Sequence, residues 1–152
     1  MGLVFSSVDE VVAAVGSDLG ASEWLEIDQA RIDAFADATG DHQWIHVDPE
    51  RAKDGPFGRT VAHGYLTFSL INMFLPDLIR AEGATMGLNY GADRLRFPAA
   101  VPVGSRIRFA GQLAEAKPTS DGGVQLTTRV TVELEGSERP ACVADILSRY
   151  YF

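Results

Sequence analysis

Residues 124–135 place Val124, Leu126, Thr128, Val130, Val132 and Leu134 at every second position, with polar residues between them. That is the period of an antiparallel strand buried on one face. Residues 64–75 follow a different pattern. Tyr65, Leu66, Phe68, Leu70, Ile71, Met73, Phe74 and Leu75 leave almost no polar face, and a helix apolar nearly all round is a buried one. Pro76 ends or kinks it. Further strands are predicted over 85–90, 95–97, 105–116 and 141–151, with hairpin turns at Asp121-Gly122-Gly123 and at 136–140.

The N-terminal third is punctuated by helix signals. Ser7 and Glu10 form a capping box for a helix over 8–15 that Gly16 stops. A short strand is expected over 22–27. Asp28 caps a second helix whose stripe Ile32, Phe35, Ala36 and Thr39 ends at Gly40. Asp48-Pro49 starts a third, short helix. Residues 41–47 between them read as loop, and 55–58 as a turn. A buried helix followed by long antiparallel strands predicts an α+β domain over 1–152, its helix wrapped by a curved sheet. One copy leaves sheet edges open, so a homodimer is expected.

Composition narrows the partners. At 152 residues the chain is long enough to bury roughly two thirds of its unfolded surface. A net charge of −8 argues against nucleic acid, which needs a basic face. The single Cys142 forms no internal disulfide and suits a reducing compartment. No secretory signal is visible, and no apolar run approaches the ~20 residues of a membrane span. A cytoplasmic protein is expected.

The candidate chemistry lies in residues 35–52 and 61–64. Asp41 follows the helix-ending Gly40, and His46 comes five positions later, beside Trp44 and Ile45. Either alone reads as a turn or core residue. Held on one turn, a carboxylate and an imidazole can share a water molecule and move its protons. His42 and His46 stand four apart, with Asp41, Asp48 and His63 as further ligands to consider. A loop gives them no common helix face, so no metal is expected. In His63-Gly64, glycine can simply allow close packing. Its backbone N–H, unsatisfied at a helix start, can also polarise a carbonyl.

Phe35, Gly40-Asp41-His42-Gln43-Trp44-Ile45-His46 and Ala52 resemble the signature of the R-specific enoyl-CoA hydratases, the MaoC-like dehydratases. Gln43-Trp44 stands where that signature has Asn-Pro, as in the branch of the nodulation protein N relatives. The resemblance extends through His63-Gly64 and the apolar helix, and it implies a hot-dog fold. It implies a lyase that adds water to trans-2-enoyl-CoA to give (R)-3-hydroxyacyl-CoA, without metal or redox cofactor. Asp41 and His46 would act as base and acid in either assignment, and Gly64 would be the oxyanion donor. Gln43, Asn72 and Leu75 would touch the substrate. Arg94 and Arg96, with Arg106 and Arg108 nearby, would offer a patch for the phosphates of coenzyme A, unless they are a solvated strand face. An acyl carrier protein could replace coenzyme A. A hot-dog thioesterase would need a carboxylate on or near the central helix, and residues 65–75 carry none. A non-catalytic acyl-binding module is the third reading.

Overall fold

In the computed structural model, residues 2–152 are described; Met1, the first residue of the expected domain, lies outside them. The elements run β1 (Leu3–Phe5), α1 (Val8–Ala13), β2 (Asp18–Ala21), β3 (Leu25–Glu26), α2 (Gln29–Thr39), α3 (Trp44–Val47) and α4 (Pro49–Ala52). Then follow α5 (Gly64–Ser69), α6 (Ile71–Leu78), β4 (Ile79–Ala81), β5 (Met86–Arg96), β6 (Arg106–Pro118), β7 (Gly123–Leu134) and β8 (Cys142–Tyr151).

The main sheet is antiparallel in the order β2-β6-β7-β8-β5, and β3 pairs with β6 beside β2. Its concave side holds α5 and α6. Leu66, Leu70, Ile71 and Phe74 meet Ile107, Phe109, Val130, Val132, Ala144 and Ile146 in one core, where the Phe74 and Phe109 rings stack at 4.2 Å. Each fully buried aliphatic side chain there stabilises the fold by ~1.5–3 kcal/mol. A second core gathers Phe5, Val11, Leu19, Leu78, Leu113 and Leu126 under α1. This is the hot-dog fold, α+β with its central helix wrapped by a curved sheet, as expected.

Local signals placed several ends correctly. Ser7 Oγ accepts from Glu10 N, although the Glu10 carboxylate reaches back to Ser6 N, one residue before the cap. Asp28 caps α2, and Gly40 ends it in the left-handed region at φ 77°.

Other expectations change. The central helix is interrupted at Leu70 and runs through Pro76 to Leu78. It is not buried all round: Tyr65 is 65% exposed and Met73 53%. The two pieces expected over 85–97 form one strand, β5, with register shifts at Asn89/Gly91 and Asp93/Arg96. The β1–β4 pairing and β2 had no counterpart in the sequence reading. Cys142 is fully buried, and burial pushes its thiol up to about 11, which makes it a small apolar residue of the core.

Candidate functional site

Gly40 turns the chain out of α2 and delivers Asp41, whose carboxylate accepts a hydrogen bond from Gln43 N at 3.3 Å. Asp41 thus closes its own turn while its side chain stays 53% exposed. The expected loop then becomes one helical turn, α3, which carries His46 on its buried side. Two neutral links fix that turn. Gln29 Nε2 donates to the His46 carbonyl at 2.8 Å, and Thr60 Oγ1 donates to Gln29 Oε1 at 2.6 Å. Residues 60–62 pass alongside, with Val61 N donating to Ile45 O and Ala62 N to Val101 O.

The protons of the two histidines follow from their partners. His46 Nδ1 lies 2.6 Å from Val61 O. A carbonyl can only accept, so Nδ1 carries the proton and Nε2 keeps a lone pair. Likewise His63 Nε2 donates to the Asp41 backbone carbonyl at 2.9 Å. The two rings stack at 3.8 Å between centroids and 24° between planes, and Phe35 packs against His63 at 4.9 Å. Burial, and then the charge of His63, pull the His46 imidazole below its ordinary range; the Val61 bond and Asp41 push the other way.

Asp41, His46 and His63 each bring one potential ligand atom within 4.8 Å of the others. His42 does not join them: it is exposed and bonds Asp37 at 2.9 Å. The His42/His46 pairing considered for a metal is therefore absent. His46 Nδ1 and His63 Nε2 are already committed to carbonyls, which leaves a sparse donor set for a cation and an adequate one for a water molecule.

The remaining residues fall in different places. Gly64 opens α5 directly after His63, with no side-chain cap at that end. Gln43 is the exposed residue before α3, and its side chain makes no cap bond. Trp44 packs beside Gly55 and lies under the Arg51 guanidinium at 4.3 Å. A cavity of about 280 Å³ opens between α5–α6 and β5, lined by Phe68, Ile71, Asn72, Tyr90, Leu95 and Ile146 among others. Phe68 follows Gly64 by four positions in α5, whereas Ile71 and Asn72 lie in α6 beyond the break at Leu70. Asp41, His46, His63 and Gly64 are not among the residues lining the cavity. Asn72 lines it, whereas Leu75 is buried in the core cluster.

Arg94 is bound to Asp145, which also accepts from Arg129 at 3.0 Å. Ala144 and Ile146 point into the core, so Asp145 between them faces the opposite side of the sheet. Arg106 and Arg108 pair with Glu135 and Glu133 across β6 and β7. Arg96 is exposed and donates only to Leu95 O among the described bonds. The expected basic patch is thus mostly neutralised, with Arg96 left unpaired by any carboxylate among the described residues. No described helix is long and apolar enough to cross a membrane.

In the sequence His63 stands as a further metal ligand to consider, beside the helix-opening Gly64. Its contact with Asp41 spans 22 positions, and only the adjacent glycine marked it.

The sequence matches the MaoC-like domain family over residues 10–135. It is 49% identical over 146 residues to the 3-hydroxyacyl-thioester dehydratase Z of Mycobacterium tuberculosis strain H37Rv, covering 96% of this chain and 97% of that protein. It is 46% identical over 148 residues to nodulation protein N of Rhizobium leguminosarum bv. viciae, covering 96% and 92%. Among solved structures, the (R)-hydratase from A. caviae involved in PHA biosynthesis superimposes with a TM-score of 0.67 and 24% identity, covering 88% of this chain and 94% of that one.

Proposed function

This chain belongs to the MaoC-like domain family, and from that premise we propose that it is a lyase interconverting trans-2-enoyl-CoA and (R)-3-hydroxyacyl-CoA. The dehydratase name of the relative at 49% identity supports the reaction class. The observation that supports the assignment is the clustering of Asp41, His46 and His63, one polar side-chain atom of each within 4.8 Å of the others, with His46 Nδ1 bound to Val61 O so that its Nε2 keeps a lone pair.

In the hydration direction a water lies between these two groups and over C3 of the enoyl thioester. Its oxygen bonds to C3, one of its protons passes to the dyad, and a proton from the dyad reaches C2. Negative charge develops on the thioester oxygen, where the Gly64 N–H meets it. Either residue can be the base, and the two can share the proton through the water. The acyl chain runs along Phe68, Ile71 and Asn72 in the cavity beside α5 and α6. Gln43 borders the mouth of the site, and Arg96 is the side chain we assign to a phosphate of the carrier, coenzyme A or an acyl carrier protein. Arg94 serves Asp145 instead, and Leu75 supports the helix from within the core.

The proposal includes a homodimer. β5 is an edge strand whose Met86, Leu88 and Tyr90 are 47%, 44% and 55% exposed, an apolar edge that a second copy would cover.

Crotonyl-CoA tests the reading directly. Hydration bleaches the enoyl absorbance, releases no thiol, gives the R alcohol and continues in the presence of a chelator. Thiol release would indicate a thioesterase, an unchanged spectrum a binding module, and an S product or a chelator-sensitive rate would contradict the proposed mechanism.

A further inference from the structure

His63 touches each part of the proposed site. It donates from Nε2 to the Asp41 carbonyl at 2.9 Å, stacks on His46 at 3.8 Å, and precedes Gly64 in the chain. It is only 2% exposed, and its Nε2 lies 4.0 Å from Asp41 Oδ2. Its other nitrogen, Nδ1, is buried without a hydrogen-bond partner.

A histidine that only filled space would be replaceable by a core residue, because a buried polar atom left unpaired is a cost. Here that cost accompanies two contacts that no apolar side chain supplies together. The Nε2–H fixes the carbonyl of the residue whose side chain must face the water. The ring face fixes the plane of His46, whose own Nδ1–H points away to Val61 O.

A second imidazole stacked this closely disfavours a charge on the His46 ring. The titratable groups facing the pair are Asp41, from the turn after α2, and the two rings themselves. The surrounding contacts, Phe35 on α2 and the Gln29–Thr60 pair, are neutral.

We propose, building on the dehydratase reading, that His63 is the positioning residue of this site, holding the plane of the His46 ring, opposing a charge on it, and fixing the place of the Asp41 turn. It does not itself exchange a proton with substrate. Gln43 also reaches both members of the dyad, but only through its backbone, its N–H donating to the Asp41 carboxylate and its carbonyl accepting from His46 N. Among the described residues His63 does so with its side chain, while Gln29 and Val61 reach His46 alone.

Two substitutions separate its contacts. His63→Gln keeps an N–H donor for the Asp41 carbonyl and removes the second imidazole. His63→Phe keeps a stacking ring and removes the donor. Labelled histidine in the whole protein lets NMR follow the His46 tautomer and titration without substrate. The expected result is a His46 midpoint at higher pH in the Gln variant, with the limb of kcat/KM that His46 sets moving the same way. The Phe variant should lose about tenfold in kcat with KM little changed, as a misplaced general acid–base group would.

A folded Gln variant whose His46 titrates as in the wild type would overturn the proposal. So would a Phe variant that loses thermal stability but keeps wild-type kcat. Should the Phe variant fail to fold, the Gln titration alone decides. If the wild-type protein hydrates no enoyl thioester, the dehydratase reading fails, while the titration still tests how His63 and His46 are coupled.

Discussion

The Phe97 ring lies against the Cα of Gly64, so that a Cβ added there would meet Phe97 Cδ2 at 2.8 Å. Gly64 is therefore required for close approach as well as being placed to offer its N–H. Both alanine and proline at this position would push Phe97, which also meets Tyr65 edge-on at 5.8 Å. The two roles separate when Phe97 is removed as well. Gly64→Ala paired with Phe97→Ala keeps the N–H and relieves the crowding, so its turnover should match that of Phe97→Ala alone. Gly64→Pro in the same background still lacks the N–H and should lose roughly 10²–10³ in kcat, as removal of one oxyanion donor does. Proline suits the first position of a helix, and circular dichroism would check that the variant folds. Equal turnover in the two double variants would reduce Gly64 to a packing residue.

For the dyad, Asp41→Asn and His46→Gln should each lower kcat by roughly 10²–10⁴ with the fold retained. Because both groups act on one water, the double variant should be little worse than either single one. Steady-state hydration of crotonyl-CoA measures all three. A folded single variant with full activity would remove that residue from the mechanism.

The sequence showed the parts of this site that local rules govern. Asp28 and Gly40 bound α2 through capping chemistry that needs no tertiary partner, so the position of Asp41 could be read directly. Residues 44–47 read as loop because a single turn has no periodicity, and α3 is held from outside by Gln29 and Val61. β1 pairs Leu3 with Ile79 across the whole helical region, a pairing that three residues cannot announce. β5 read as two pieces because the bulges at Tyr90 and at Arg94-Leu95 break its alternation. Arginines chosen by type alone were mostly committed to carboxylates by strand register, which pairs Arg108 with Glu133 and puts Arg129 opposite Asp145.

The pH dependence has a definite sign. The base form of His46 has a free Nε2, and burial holds its imidazole below the ordinary value near ~6.5. With His46 as the base, the acid limb of kcat/KM should therefore fall below that value; with His46 as the acid, the same lowered midpoint would set the alkaline limb. Stability follows the same group. The unfolded chain binds the proton more readily, so His46 contributes its full stability above the unfolded value. That contribution is lost as pH drops from there toward the lowered folded value. Thermal melts should show a fall in Tm over this window that is smaller in His46→Gln. A His46 limb above ~6.5, or an unchanged melt profile in the variant, would contradict this account.

On the far side of the sheet, Asp145 and Arg94 allow a test of the fold alone. Arg94 has φ 52°, a left-handed conformation unusual for a residue with a side chain, and its guanidinium bonds the buried Asp145 carboxylate. Arg129, and to a smaller extent Arg94, hold that carboxyl below the ordinary carboxylate range despite its burial. Asp145→Ala should cost roughly 1–2 kcal/mol, less than a fully buried pair because both arginines can return to water. Its contribution is present above the unfolded aspartate value near ~3.9 and is lost as pH falls through the lowered folded value. Arg94→Gly relieves the backbone but removes one bond, so by itself it should be close to neutral. Once Asp145 is gone only the backbone cost remains, and Arg94→Gly should then recover part of the lost stability. Urea unfolding of the four proteins in this cycle measures the coupling. Strict additivity would mean that the Asp145 contact does not hold Arg94 in its bulge.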